Sequence, residues 1–408
     1  MRRVSTLSVV LAVVALVGAA CGGDPDKPPA ADPTPPGYAA TLRPALQTIL
    51  DGMRVPGAVV MVTSKDKGDW TEAFGTRALT GDLRVTAQDH FRIGSNTKTL
   101  TGTVVLQLAQ EGKLALADPV SKYRPDVPNG DNITVTQLLD MRSGLYNYSE
   151  DEQFNVQLDT NPGRVWKQDE LLAIAFGKQP YFAPGTGFHY SNTNTILLGL
   201  IIEKLTGRPL RDEFRTRIFE PVGMPETRMP VIDDVSIPAP HPRGYLFGTN
   251  VSTLTDAALP AAEQAAAKAG TLLPTDHTAD SPSWTWAAGG AISTAGDLTR
   301  YVQALVGGGL LDAATQKLRF DSVRPADPAN PGGAGYGLGI AKFDPLYGHD
   351  GQLPGFNSFM AGDPDRGVTV VVLTSLTAGP DGRQPANILA MAIIRALYPE
   401  PAPTGSPS

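Results

Sequence analysis

The chain has 408 residues, 41% of them apolar and 18% charged, with a net charge of −7 at pH 7. That length allows one large domain or two medium ones, and the apolar fraction excludes general disorder. There is no basic stripe of the kind a nucleic-acid binder carries. Glycine (43) and proline (36) are plentiful without a collagen-like period, which points to many ordered turns and loops. The single cysteine, Cys21, excludes a disulfide framework and a thiolate metal cluster. The five histidines are scattered and form no HExxH pair, so no metal site is expected.

Arg2 and Arg3 open the chain, and a Val/Leu/Ala-rich stretch runs from Leu7 to Ala20. It is shorter than the roughly 20 residues of a membrane-spanning helix and reads as a secretory signal over residues 1–20. Gly18-Ala19-Ala20-Cys21 is similar to the cleavage site of bacterial lipoproteins, which implies lipidation at Cys21. The usual Leu or Val three places before the cysteine is Gly18 here, and plain secretion is the alternative. The expected location is therefore the outer face of the cell membrane, held only by that lipid. Residues 21–38 are proline-rich and read as a stiff spacer; residues 399–408 read as an unstructured tail. One folded unit is expected between, over 39–398.

Within it, Ala58–Val62 and Trp70–Phe74 are β-rich runs around a polar turn, a hairpin signal. Thr97–Gln110 reads as a long apolar helix with Gly112 just past its end. Val135–Leu139, Asp169–Ala175 and Thr193–Leu205 are further helical stretches, the last closed by Gly207. Ala257–Gly270 is either a surface helix or a flexible insertion. Gly337–Phe343, Phe356–Ala361 and Val368–Thr374 read as strands, and Ala386–Leu397 as a final helix. The order predicts an α+β fold: an antiparallel sheet built from both chain ends, helices against it, and an inserted, mostly helical subdomain over roughly 100–285.

The G-x-S-x-G elbow, the P-loop and G-x-G-x-x-G are all absent. Ser95-Asn96-Thr97-Lys98 instead heads the apolar helix. Residues three apart on a helix share a face, so Lys98 can reach the Ser95 hydroxyl. The first helical turn offers unpaired N–H groups to a developing oxyanion. A lysine buried against such a helix loses basicity by desolvation, as a general base near pH 7 requires. The pattern is cheap, however: Ser64-Lys65-Asp66-Lys67 matches it too, in the polar hairpin turn. An N-capping serine beside a surface lysine is the bland reading of either tetrad.

Tyr190-Ser191-Asn192 is the chain's single Y-x-N, and His349-Asp350-Gly351 its single H-x-G. The order S-x-x-K, Y-x-N, H-x-G resembles the penicillin-binding fold. It is most similar to the branch of serine D-alanyl-D-alanine carboxypeptidases, class C β-lactamases, D-aminopeptidases and related esterases. The resemblance covers nearly the whole folded unit. It includes Phe91-Arg92-Ile93-Gly94-Ser95, Ile133 to Leu139 running on to Ser143-Gly144-Leu145, Pro184-Gly185, Ala288 to Thr294, Tyr336-Gly337-Leu338-Gly339 and Pro354-Gly355-Phe356.

The resemblance implies an acyl-enzyme hydrolase that needs no cofactor and no metal. Ser95 would be the nucleophile, Lys98 would accept or relay its proton, and Tyr190 would be a general acid or base whose phenol pKa is lowered if Lys98 is charged. His349 would flank the leaving group. Asn192 would hold Lys98 and the acyl-side amide, and the N–H groups of Ser95 and Gln352 would form the oxyanion hole beside Gly351. The substrate would be a small molecule or a peptidoglycan-related peptide or ester, and the protein a monomer. A D-alanyl-D-alanine carboxypeptidase-like activity leads. An esterase or transesterase on neutral esters, and a non-catalytic envelope lipoprotein, are the alternatives. Asp350 departs from the pattern, because relatives place a hydroxyl residue there, near the carboxylate of their substrates. Met141-Arg142 is a second departure, read as structural. Trp284 and Trp286 are each candidates for the cleft or for the core.

Overall fold

The computed structural model describes residues 35–330 and 333–399. The signal segment, Cys21 and most of the spacer, together with tail residues 400–408, lie outside the described residues.

Eight strands form one antiparallel sheet: β1 (Gly57–Thr63), β2 (Trp70–Gly75), β3 (Arg324–Pro325), β4 (Gly335–Gly337), β5 (Ile340–Phe343), β6 (Leu346–Leu353), β7 (Phe356–Gly362) and β8 (Thr369–Thr374). Their spatial order is β2-β1-β8-β7-β6-β5-β4-β3, so the two ends of the chain meet where β1 pairs with β8. Successive side chains of a strand point to opposite faces. Ala58, Val60 and Val62 of β1, with Val370 and Val372 of β8, therefore face two helices, α1 (Gly37–Met53) and α5 (Pro385–Leu397). Val59, Val371 and Leu373 face the opposite layer, which holds α2 (Thr97–Gln110), α3 (Asn192–Thr206) and α4 (Ala295–Gly307). Each of these fully buried Val and Leu side chains contributes about 1.5–3 kcal/mol.

The expected α+β architecture is the observed one, with several differences. Helix α1 precedes the first strand, its Leu42, Leu46 and Leu50 buried at four-residue intervals. The expected strand Gly337–Phe343 is a hairpin of β4 and β5, broken at Gly339, whose φ is +63°. The alanine-rich stretch contains a helix over Ala261–Ala269. Met141-Arg142 is structural: the guanidinium of Arg142 donates to the carbonyls of Asp140 (2.8 Å) and Pro325 (3.3 Å).

Four contacts fix α2, the helix that Ser95 precedes. Gly102 packs so closely on the β4–β5 turn that a Cβ there would lie 3.0 Å from Gly339 Cα. The buried Arg319 donates to Thr103 Oγ1 (2.9 Å) on α2 and to the Gly339 carbonyl (2.8 Å). On the other flank, Thr101 Oγ1 donates to the Ala287 carbonyl at 2.7 Å, and Thr97 Oγ1 accepts from the Ala291 N–H at 3.2 Å. The helix is thereby fastened to the sheet on one side and to the 287–291 segment on the other.

Candidate active site

Ser95 lies in a 3-10 turn, Gly94–Asn96, that runs straight into α2. The side chain of Lys98, one turn on and only 2% exposed, reaches back to it. Its Nζ lies 2.9 Å from Ser95 Oγ, 2.7 Å from Asn192 Oδ1 and 2.9 Å from the Ala288 carbonyl. Two of these partners can only accept. An ammonium donates to all three; a neutral amine has two N–H bonds and one lone pair. With the N–H bonds on Asn192 and Ala288, the lone pair faces the serine hydroxyl. Burial pushes the Lys98 pKa well below its usual range, and the carboxylate of Asp350 pulls it partly back. Burial thus favours the neutral form, whose lone pair could accept the Ser95 proton.

The condition set for a lowered Tyr190 phenol, a charged Lys98, is not the one that burial favours. Burial holds its phenol well above the usual value, reinforced by Tyr336 and Asp350 and opposed by the Ser95 hydroxyl. The Lys98 nitrogen lies over the ring face, 4.7 Å from its centroid. With the phenol held up by burial, Tyr190 rests protonated. It can donate or relay a proton but does not start as a phenolate.

His349 is 2% exposed and is not part of the cleft surface. Its Nδ1–H donates to the carbonyl of Asp350 at 2.5 Å, which leaves Nε2 to accept from the Tyr336 hydroxyl at 3.1 Å. Burial lowers its pKa to about 4, so the ring is neutral at ordinary pH. It stands behind Tyr190, ring centroids 6.0 Å apart, and supports rather than touches the cleft.

Strand β6 delivers the third motif. Beyond Gly348 it has no β5 partner and lies against the Ser95 turn instead. A Cβ on Gly351 would sit 2.4 Å from the Ile93 carbonyl oxygen and 3.0 Å from Ser95 N. One on Gly94, whose φ is +52°, would sit 3.0 Å from Gln352 N. The two glycines let the amide nitrogens of Ser95 and Gln352 come to the same wall. A cleft of about 450 Å³ opens there, lined by Ser95, Tyr190, Asn192, Asp350, Gly351 and Gln352 among others. Trp284 lines it as well, whereas Trp286 packs on Gly199 of α3, away from it.

Several supporting residues escape sequence reasoning. Asn147 Oδ1 accepts from the Asn192 N–H (3.1 Å) and from Ser149 Oγ (3.0 Å). Ser149 Oγ in turn accepts from Asn192 Nδ2 at 3.0 Å, which turns Oδ1 toward Lys98. Glu150 holds this loop from outside, accepting from Asn147 Nδ2 (3.0 Å), the Tyr181 hydroxyl (2.6 Å) and His189 Nε2 (2.9 Å). The available signal is the polar, aromatic run Tyr146 to Glu150 just after Ser143-Gly144-Leu145.

The family described as Beta-lactamase matches residues 42–393. Protein flp of Staphylococcus aureus (strain COL) is 31% identical over 178 residues; the match spans 42% of this chain and 34% of that protein, about a third of its length. A D-stereospecific amidohydrolase from Streptomyces sp. is similar in structure, with a TM-score of 0.72 and 31% identity, over 88% of this chain and 99% of that one. The D-amino acid amidase of Ochrobactrum anthropi SV3, in complex with D-phenylalanine, gives a TM-score of 0.71 at 26% identity, over 88% of this chain and 100% of that one. With the family match running through nearly all of the described fold, the chain belongs to the beta-lactamase family and carries its serine-hydrolase architecture.

Proposed function

We propose that the protein hydrolyses an amide or ester through an acyl-enzyme on Ser95. The observation that carries this reading is the triple contact of the buried Lys98 amine with Ser95, Asn192 and Ala288. Lys98 takes the Ser95 proton as Oγ bonds to the substrate carbonyl carbon. The N–H groups of Ser95 and Gln352 receive the oxyanion, a contribution of about 3 kcal/mol per donor. Tyr190 gives its proton to the leaving nitrogen or oxygen and is refilled from Lys98 as the C–N or C–O bond breaks. Water then repeats the sequence on the acyl-enzyme, releasing the acid and restoring Ser95.

Among amides and esters, the cleft favours an amidase or esterase over a D-alanyl-D-alanine carboxypeptidase. Apart from the Tyr190 phenol, Asp350 is the one ionisable side chain lining it among the described residues, and no Lys or Arg lines it to receive a substrate carboxylate. The two structural neighbours above, an amidohydrolase and an amidase, support the same choice. We further propose export and lipid anchoring at Cys21, testable by labelling with a fatty-acid analogue in cells. The activity is tested by screening purified protein against p-nitrophenyl esters, D-amino-acid amides, D-alanyl peptides and nitrocefin. Turnover of esters or amides with little or none of the last two is the expected result. Efficient release of D-alanine would return the carboxypeptidase reading to the lead.

A further inference from the structure

Asp350 is more than a filter against carboxylates. Its side chain is 33% exposed in the cleft. Oδ2 accepts from Asn387 Nδ2 on α5 at 2.7 Å. Asn387 holds that orientation although its own buried Oδ1 then meets no donor among the described residues, an arrangement that ordinarily costs about 1–3 kcal/mol. The carboxylate position is therefore fixed from behind.

Among the described residues no lysine or arginine pairs with it. Within ion-pair distance the described residues offer His349 Nδ1 alone, 3.6 Å from Oδ1, and that N–H is spent on the carbonyl of Asp350 itself. The Lys98 nitrogen feels this carboxylate from a distance but is bonded to Ser95, Asn192 and Ala288. A half-buried carboxylate whose one side-chain hydrogen bond comes from a neutral amide draws a cationic ligand. Its place, two residues before Gln352 on β6, puts it beside the wall where the scissile bond would lie.

We infer that Asp350, held by Asn387, is a binding subsite for an ammonium group carried by the substrate close to the scissile bond. The inference rests on the acyl-enzyme reading above and names the substrate class of that site. Asp350 lines the same cleft as Ser95 and stands two residues before Gln352, so the ammonium lies within a few bonds of the scissile carbonyl, and the test places it on the departing amine.

The test uses N-acetyl-D-alanyl amides of ethylenediamine, propylamine and glycine, which place an ammonium, a methyl or a carboxylate at the same reach. Each is assayed for protection of the purified protein against a fluorophosphonate probe, so no turnover is needed. At about 4 Å and an effective dielectric of about 20, even a quarter of the Coulomb interaction is about fivefold in binding. The aminoethyl amide should therefore protect at about fivefold lower concentration than the propyl amide, and the glycine amide at about fivefold higher. In Asp350→Asn the three should converge to within about twofold, and in the wild type the spread should shrink as salt rises. Equal protection by all three in the wild type overturns the subsite whether or not the variant folds, as does a preference that survives Asp350→Asn. A wild type that the probe does not label is a different failure, that of Ser95 as nucleophile.

Discussion

The chain presents the tetrad S-x-x-K twice, and the two copies fold into different chemistry. At Ser64 the tetrad makes the β1–β2 turn. The hydroxyl accepts from the Lys67 backbone N–H at 3.2 Å, closing the turn on itself. The Lys67 ammonium points away, to the Ala396 carbonyl at the end of α5 (3.2 Å), where a cation suits the negative end of a helix. At Ser95 the same residue types begin a helix packed on both sides. The amine is dehydrated, ringed by two acceptor-only oxygens, and left with the serine hydroxyl. Identical spacing yields a turn cap in one place and a buried serine–lysine contact in the other. What differs is what surrounds the lysine.

The comparison breaks most severely if Lys98 is not a base. Arginine keeps the charge but cannot be deprotonated in a protein. Lys98→Arg and Lys98→Met should each slow acylation by about 10³-fold, the range of a lost general base. Adding Tyr190→Phe should cost little more, because groups acting on one step are non-additive. Rates of fluorophosphonate labelling measure both, and a nearly active Lys98→Arg would remove the distinction between the two lysines.

The dry surroundings of the second tetrad can be probed through His349. Its folded pKa of about 4 lies below the ordinary 6.5, so between those values the unfolded chain binds a proton that the fold excludes. The group's full contribution to stability is present above pH 6.5, declines as pH falls, and levels off below about pH 4. The span amounts to about 3 kcal/mol. Urea unfolding at pH 7 and pH 4 should show a loss larger by about that amount in the wild type than in His349→Gln. Equal losses would mean that the pocket behind Tyr190 is wet.

Glu150 sharpens the comparison with a smaller effect. It touches neither Ser95 nor Lys98, yet it holds Asn147, which holds Asn192. Glu150→Gln should slow labelling about fivefold, and in an Asn147→Ala background it should add little. An unchanged rate would mean that the loop is set without it.

Much of this was legible in the sequence because it is local. The apolar run Thr97–Gln110 forms the predicted helix, and the β1–β2 hairpin follows from its alternation and turn. Strand β6 is not legible as a strand from its own residues. Gly348, Asp350 and Gly351 give it no β pattern, and the glycines answer neighbours distant in sequence: a Cβ on Gly348 would lie 2.0 Å from the Met360 carbonyl oxygen. The raised phenol of Tyr190 is not legible for a related reason, since its pKa follows from burial among side chains that arrive from other segments. The third partner of Lys98 is a main-chain carbonyl, at Ala288, which no residue type announces.

The central claim is that Ser95, and not Ser64, carries the acyl group. The direct measurement is peptide mapping by mass spectrometry of the protein after a fluorophosphonate probe. The adduct should lie on the peptide containing Ser95, vanish in Ser95→Ala and persist unchanged in Ser64→Ala. An adduct on another residue, or one that survives Ser95→Ala, would contradict the account.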